Sequence, residues 1–276
     1  MLIILIAVVG ALLNENFIHY YIPKIVFYSI LISGIALTII TRFVRSARDL
    51  KLHLYLLSLL KRARIVENKF TDDQKIVSEI TENKDRILSN LKQKDVDTYC
   101  YIRKTFENNH ILNNSEFQFK FKKFYIMNSA GLSDEWKNRF FELLLAKRDD
   151  LKYTLFELYK IPRRDGKYSV QFSFATKLLH TVNNENPIYD KMIGEVADKK
   201  VEGSNSNEKI DSCIKIFNFL NGLYSGLIND GKVERVISEF RLRFNVSHKD
   251  ISDAKVLDFM MWSLGKIKQD LKKIQK

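Results

Sequence analysis

The sequence predicts an all-α protein in which N-terminal transmembrane helices precede a helical cytoplasmic domain. Three observations lead to this prediction. The chain has only 3 prolines and 10 glycines among 276 residues, a composition that favours helices. Its residues 1–41 contain only Glu15 and Lys24 as charged side chains. The net charge of +12 therefore belongs entirely to the rest of the chain.

Two apolar segments make up the predicted transmembrane region, residues 1–44. The segment from Ile25 to Thr41 carries no charge, and its extension to Val44 brings it to the roughly 20 residues that cross a bilayer core. Four cations follow it, Arg42, Arg45, Arg48 and Lys51. Such cations stay on the cytoplasmic side, so we expect the body of the chain to lie in the cytoplasm. The earlier segment, residues 1–22, spans the membrane, enters it as a re-entrant segment or lies in the interface, so that the region has one or two spans.

Asn14, Glu15 and Asn16 interrupt the first apolar segment. A carboxylate at membrane depth is costly unless it faces water, a partner or a protein interior. In a homo-oligomer these side chains would line an aqueous path, and a ring of carboxylates would favour cations. The alternative is that they lie in an outer loop after a short first helix. Small residues such as Ser33 and Gly34 let helices approach closely in lipid and favour self-association.

Residues 45–110 are predicted to form a helical linker and oligomerisation region. Leu50, Leu54, Leu57 and Leu60 fall on one helical stripe of the kind that packs on a partner helix. Residues 111–276 are predicted to form a basic helical sensor domain. In that domain Ser133 is placed to cap a helix, and Ser252 and Asp253 precede the last one.

The stretch FQFKFKKFY, residues 117–125, fits two periods. Phe117, Phe119 and Phe121 alternate as in a strand, whereas Phe117, Phe121 and Tyr125 share one face of a helix. Lys120 and Lys123 interleave with these aromatic residues. Two interpretations are open. The aromatic residues and lysines could bind single-stranded nucleic acid by stacking and charge, or the aromatic residues belong to the core and the lysines are solvated.

Residues 169–196 read SVQFSFATKLLHTVNNENPIYDKMIGEV. A helix bearing Lys177 leads through a polar turn and Pro187 to Asp190, which is placed to cap the next helix. This stretch resembles the helix-hairpin-helix superfamily of DNA glycosylases, in particular its 8-oxoguanine glycosylase-like branch. The resemblance implies that Lys177 matches the nucleophile of that family and Asp190 its assisting aspartate. Only Gly166 precedes the helix, so the glycine-containing turn of the family is missing, and a binding module is preferred to an active enzyme.

We predict that the cations around this hairpin contact a nucleic-acid backbone: Arg163, Arg164, Lys167 and Lys177, with Lys120 and Lys123 from the aromatic stretch. No cofactor is expected. Cys100 and Cys213 have no close Cys or His partner in the sequence, which argues against a zinc site. The chain has no Walker loop, no HExxH motif and no defensible Ser-His-Asp set, so enzyme activity is not expected.

Three stretches together resemble a widespread bacterial domain: FYIMNSAGLSDEWKNRFFELL, FSFATKLLHTVNNENPIYD and ISDAKVLDFMMWSLG. Behind an N-terminal membrane segment, this architecture resembles membrane effectors of bacterial anti-phage systems of the Hailong type. The resemblance implies a tetrameric channel in the lipid of the bacterial inner membrane, controlled by DNA oligomers that a partner nucleotidyltransferase makes. A membrane-tethered nucleic-acid enzyme that uses Lys177 and Asp190 is the alternative. A third possibility is a scaffold that binds anionic lipid through its positive charge.

Overall fold

The computed structural model describes residues 73–274, apart from 109, 110, 112 and 113, together with Ser58 and Lys61. The chain divides into two units, Met1–Val66 and Glu67–Lys276, and the description below concerns the second. The expected spans and pore residues Asn14, Glu15 and Asn16 lie outside the described residues. Within the described ranges, no helix has both the length and the apolar character needed to cross a bilayer.

The described part of the second unit consists of helices and the loops that connect them. Residues 73–82 are helical (α1). The others are α2 (Lys84–Asn90), α3 (Gln93–Glu107), α4 (Ser115–Phe124), α5 (Asp134–Leu145), α6 (Leu151–Tyr159), α7 (Phe172–Val182), α8 (Lys191–Val196), α9 (Ser206–Asn229), α10 (Glu234–Phe244) and α11 (Asp253–Ile274). A 3-10 turn, Met127–Ser129, lies between α4 and α5. The described residues contain no strand, so the all-α prediction is confirmed for them.

The last helix, α11, is the centre of this unit. It packs against α2, α8, α9 and α10, and the predicted inward-facing residues Leu257, Met260 and Leu264 are at most 1% exposed. Residues 73–107 pack in the same body as the predicted sensor domain: the Ser263 hydroxyl of α11, for example, donates to the carbonyl of Ile87 in α2 over 3.0 Å. Burial of this apolar face supplies most of the stability of such a helix.

Helices α8 and α11 touch backbone to backbone at Gly265. A Cβ atom placed on Gly265 would lie 2.7 Å from the carbonyl carbon of Met192 and 2.8 Å from its Cα. No side chain fits into that space, so a residue without one is required. This contact fixes the position of α8 and therefore of Asp190, which caps it.

The two predicted side-chain caps are present. The Ser133 hydroxyl accepts from the amide of Trp136 over 3.2 Å. The Asp190 carboxylate accepts from the amides of Met192 and Ile193 over 2.9 and 3.0 Å. These bonds satisfy amides that a helix start leaves without partners.

The stretch 117–125 is helical, which decides between the two periods. Asn114 begins α4 by accepting from the amide of Phe117 over 2.9 Å. Phe117 and Phe121 are fully buried, and the Phe121 ring lies 5.6 Å from that of Phe141 in α5. The helical face is therefore core, whereas Phe119, which belongs only to the alternating set, is 61% exposed.

Candidate nucleic-acid interface

The chain leaves α4 through a residue with an unfavourable backbone. Ile126 follows the C-cap Tyr125 and has φ 57° and ψ 33°, the left-handed conformation. Helices that end this way usually place glycine there, because a β-branched residue in this region is strained. The Ile126 side chain is also 63% exposed, so burial does not compensate for the strain.

Five residues further on, Gly131 lies beneath an arginine. Its φ of 69° suits glycine, and a Cβ atom placed on it would lie 2.7 Å from Nη2 of Arg163. The guanidinium of Arg163 therefore packs directly on the Gly131 backbone. Any side chain at position 131 would displace it.

Residues 163–167 form a closed turn. The amide of Gly166 donates to the Arg163 carbonyl over 2.9 Å, and the amide of Arg163 donates to the Lys167 carbonyl over 3.0 Å. Gly166 has φ 74°, a conformation that glycine adopts at no steric cost. The sequence RRDGK thus folds into a tight turn that carries three cations.

Arg164 and Ser133 fix this turn against the chain between α4 and α5. The backbone amide of Arg164 donates to the Gly131 carbonyl over 3.0 Å. Its guanidinium donates to the carbonyls of Leu132 over 2.9 Å and Asn128 over 3.3 Å. The Ser133 hydroxyl donates to the Pro162 carbonyl over 2.9 Å. We call residues 126–133 and 162–168, together with the side chains of Phe119 and Lys123, the basic ledge.

The basic ledge presents both cations and apolar side chains to solvent. Arg164, Lys167 and Lys123 are exposed, and Tyr168 is 57% exposed. The Lys123 ammonium lies 5.9 Å from the ring centre of Phe119. Cations that neutralise phosphates supply affinity for a nucleic acid, and exposed rings offer faces on which bases stack.

The acidic neighbours of the ledge are partly neutralised. The Asp134 carboxylate, which begins α5, pairs with the Lys137 ammonium over 2.7 Å. That hydrogen bond and the nearby Arg164 guanidinium lower the pKa of Asp134. Asp165 lies within the turn and accepts from the backbone amide of Lys167 over 3.2 Å. The exposed lysine and arginine side chains therefore outnumber the carboxylates that face them.

Four of the six predicted contact residues are brought together in the basic ledge: Lys123, Arg163, Arg164 and Lys167. Lys120 is not among them. Its ammonium pairs with Glu116 over 2.8 Å and lies 3.7 Å from the ring centre of Tyr101 in α3. Its charge is thus already matched within the protein.

Lys177 is not one of the ledge residues and is partly buried in α7. Its ammonium donates to the Ser173 hydroxyl over 3.0 Å and lies 4.9 Å and 5.4 Å from the ring centres of Phe174 and Tyr125. Burial, with a smaller opposing effect of Asp190, lowers the pKa of Lys177 to about 8. Among the described ion pairs none joins Lys177 to Asp190. A lysine of this kind is a nucleophile candidate.

A buried ion pair that the sequence did not indicate lies behind Lys177. Lys255 and Asp258 in α11 are 2% and 4% exposed and pair over 2.6 Å. The Lys255 ammonium is 4.5 Å from the ring centre of Phe259 and 4.9 Å from that of Tyr99. Burial raises the pKa of Asp258, and Lys255 opposes that rise.

His180 is held neutral beside this pair. Its Nδ1 lies 2.7 Å from the Asn186 carbonyl, which only accepts, so Nδ1 carries the proton. The Tyr99 hydroxyl then donates to Nε2 over 3.0 Å. Burial, with repulsion from Lys255 as the second cause, lowers the pKa of His180 to about 3. This residue holds α3 and the turn after α7 together rather than exchanging protons.

Sequence reasoning missed Ile126 and Tyr168. Tyr168 directly follows the cations of RRDGK, so the interleaving rule applied to residues 117–125 would have found it. Ile126 has no comparable signal, because its importance lies in its backbone conformation.

Neither a metal site in the described residues nor a related protein indicates a cofactor or a family. The described residues contain no group of three or more His, Cys, Asp or Glu side chains that could hold a metal ion. Comparisons with protein families, curated proteins and solved structures found no match to this chain. The functional conclusion therefore depends on the geometry above.

Proposed function

We propose that this chain is a membrane effector whose basic helical domain binds an oligonucleotide through its phosphates at the basic ledge. One observation carries the proposal: Arg164 anchors the RRDGK turn by three hydrogen bonds and so fixes the backbone from which Arg164 and Lys167 are exposed. A site that is rigid before binding loses less entropy when a ligand arrives.

The membrane part of the proposal rests on the sequence. The apolar residues 1–44 would insert as helices of a homo-oligomer, with Asn14, Glu15 and Asn16 facing an aqueous path. Oligonucleotide binding would change the pore if the ligand prefers one state of the oligomer. A partner nucleotidyltransferase would supply the ligand.

Fluorescence anisotropy tests the phosphate contacts. The affinity of the full-length chain for labelled DNA and RNA oligonucleotides is measured over a series of salt concentrations. The informative variant is Lys123→Ala with Lys167→Ala, since both side chains are exposed. Each lost contact lowers the slope of log affinity against log salt by about 0.7 for a single strand. Two contacts should lower it by about 1.4.

The matched control replaces two exposed lysines outside the ledge, Lys94→Ala with Lys249→Ala. It removes the same charge and should leave the salt slope almost unchanged. Equal losses in both double variants would mean that only net charge matters. A chain that binds no oligonucleotide at low salt would end the proposal.

The effector part has a separate test. Expression of the full-length chain should impair bacterial growth, and a chain without residues 1–44 should not, because pore formation needs the membrane segments. Glu15→Gln should reduce ion flux through vesicles without reducing insertion. Toxicity that survives the deletion contradicts the pore.

Lys177 favours a second candidate, the membrane-tethered nucleic-acid enzyme. Because the pKa of Lys177 is about 8, about a tenth of the protein molecules carry it as a neutral amine at pH 7. A neutral amine adds to the aldehyde of an abasic site and loses water to give an imine, which borohydride reduces to a stable crosslink. Crosslinking to abasic DNA that Lys177→Arg abolishes would support the enzyme. No crosslink, with oligonucleotide binding intact, supports the sensor.

A further inference from the structure

Helix α1, residues 73–82, is attached to the rest of the second unit by little apolar burial. Its buried apolar side chains are Ile76 and Ile80, which are 3% and 0% exposed. In α11, by contrast, more than half of the 22 residues are buried. Because burial of apolar surface supplies most of the stability of a packed helix, α1 is expected to open more easily than α11.

A part-buried ion pair joins the middle of α1 to α11. The Glu79 carboxylate lies 2.6 Å from the Lys268 ammonium, and the two side chains are 24% and 25% exposed. Water and dissolved ions reach such a pair, so salt screens the attraction between its charges. The attachment of α1 to α11 therefore weakens as the salt concentration rises.

The first residue of α1 is a buried carboxylate whose charge is poorly matched. Asp73 is 4% exposed, and its Oδ1 has no hydrogen-bond partner among the described residues. Its Oδ2 lies 3.4 Å from the Lys232 ammonium, which lies closer to the Asp230 carboxylate, at 2.9 Å. A buried charge without adequate partners costs free energy. Water would hydrate this carboxylate if α1 moved away, so Asp73 favours the opening of α1.

Asn83 separates α1 from α2. Its φ of −101° and ψ of 9° are not helical, and its side chain does not cap α2. Beyond it, Lys84 pairs with Glu239 of α10 over 2.6 Å. The carbonyl of the buried Ile87 accepts from the Ser263 hydroxyl of α11 over 3.0 Å. Because these contacts hold α2 independently of α1, Asn83 can act as a hinge between the two helices.

From these contacts we infer that α1 is a detachable strap, held to α11 by the Glu79–Lys268 pair and weakened by Asp73. It opens about Asn83 while the rest of the second unit stays folded. The chain enters this unit at Glu67, so opening of the strap lengthens the free chain between the two units. Residues 73–83 span up to about 35 Å when they are extended. The strap thus sets the length of that connection, whether or not the basic ledge binds an oligonucleotide.

Hydrogen exchange of the full-length chain, resolved by mass spectrometry, tests the inference. Peptides from residues 73–83 should exchange faster than peptides from α11, and faster still at higher salt, because opening exposes their amides. Glu79→Gln should speed the exchange of α1 by about two- to fivefold, which corresponds to the loss of one such ion pair. Asp73→Asn should instead slow it by about two- to tenfold, since the charge that favours opening is removed.

A charge exchange and a separate ion pair provide the controls. Glu79→Lys with Lys268→Glu restores the pair with reversed signs and should return α1 to the exchange rate of the original chain. Asp270→Asn removes one charge from α11, where Asp270 pairs with Lys273 over 2.8 Å, and should leave the exchange of α1 unchanged.

Two patterns of exchange would overturn the inference. If peptides of α1 and α11 exchange at one rate at every salt concentration, α1 opens only when the whole unit unfolds. If Glu79→Gln accelerates all helices equally, the pair contributes to general stability and does not hold a strap. Faster exchange of α1 in Asp73→Asn would likewise overturn it, because Asp73 would then hold α1 in place.

Discussion

Replacing Lys255 by methionine tests how the buried ion pair of α11 contributes to the fold. Methionine has an unbranched side chain one atom shorter than that of lysine and carries no charge, so Asp258 loses the ammonium that pairs with it over 2.6 Å. The Asp258 carboxylate then remains in a site where it is 4% exposed. Removing one member of a buried pair costs about 3–5 kcal/mol, because an uncompensated charge is left behind.

The expected change in melting temperature follows from the size of the unit. Each kcal/mol shifts the midpoint of a unit of this length by about 2–4 °C. Lys255→Met should therefore lower the midpoint by about 6–20 °C, as measured by circular dichroism of the purified full-length chain. The double variant Lys255→Met with Asp258→Leu removes both charges and should recover most of the loss, since an apolar replacement of a whole pair is often neutral.

The same helix supplies the control. Lys273 and Asp270 also pair at a spacing of three residues, over 2.8 Å, but their side chains are 74% and 63% exposed. Lys273→Met should change the free energy of unfolding by less than about 1 kcal/mol. If Lys255→Met costs no more than Lys273→Met, or if the double variant is less stable than Lys255→Met alone, the account of the buried pair is wrong.

Four further predictions each concern a single residue. Burial keeps the pKa of His180 at about 3 in the folded chain, whereas an exposed histidine has a pKa near 6.5. As the pH falls from 7 to 5, the unfolded chain therefore takes up a proton that the folded chain does not, and the free energy of unfolding should fall by about 2 kcal/mol. Urea titrations of His180→Gln should show most of this pH dependence removed. Gly265→Ala should destabilise by about 1–3 kcal/mol in thermal melts, because Met192 backbone atoms occupy the space. Gly226→Ala in α9, where the nearest atom to a Cβ would be 3.5 Å away, should instead stabilise by up to about 1 kcal/mol. Ile126→Asn should raise the melting temperature by about 2–8 °C through relief of strain.

Local features of this fold were readable from the sequence. Ser133 and Asp190 cap helices as predicted, because a cap depends on residues only two or three positions away. The apolar stripe of α11 is equally local, and its predicted members are buried. The all-α class follows from many such short-range preferences that agree with one another.

Other features depend on residues far apart in the chain, and short-range patterns do not contain them. The period of residues 117–125 fits both a strand and a helix. Packing selects the helix, because the Phe121 ring contacts α5. Arg164 was predicted only as a contact to a nucleic-acid backbone, and its bonds to carbonyls more than thirty residues earlier leave no trace in sequence spacing. In the sequence, Lys255 resembles any solvated lysine on a helix, whereas in the structure the Tyr99 ring of α3 lies over it.

The packing of Arg163 on Gly131 has a consequence for sequence variation. Position 131 favours glycine for two separate reasons: its φ of 69° and the guanidinium that a methyl group would meet at 2.7 Å. The guanidinium is the end of a flexible side chain and can be displaced, whereas the backbone strain of a larger residue remains. Glycine is thus expected to persist at position 131 even where the arginine is lost.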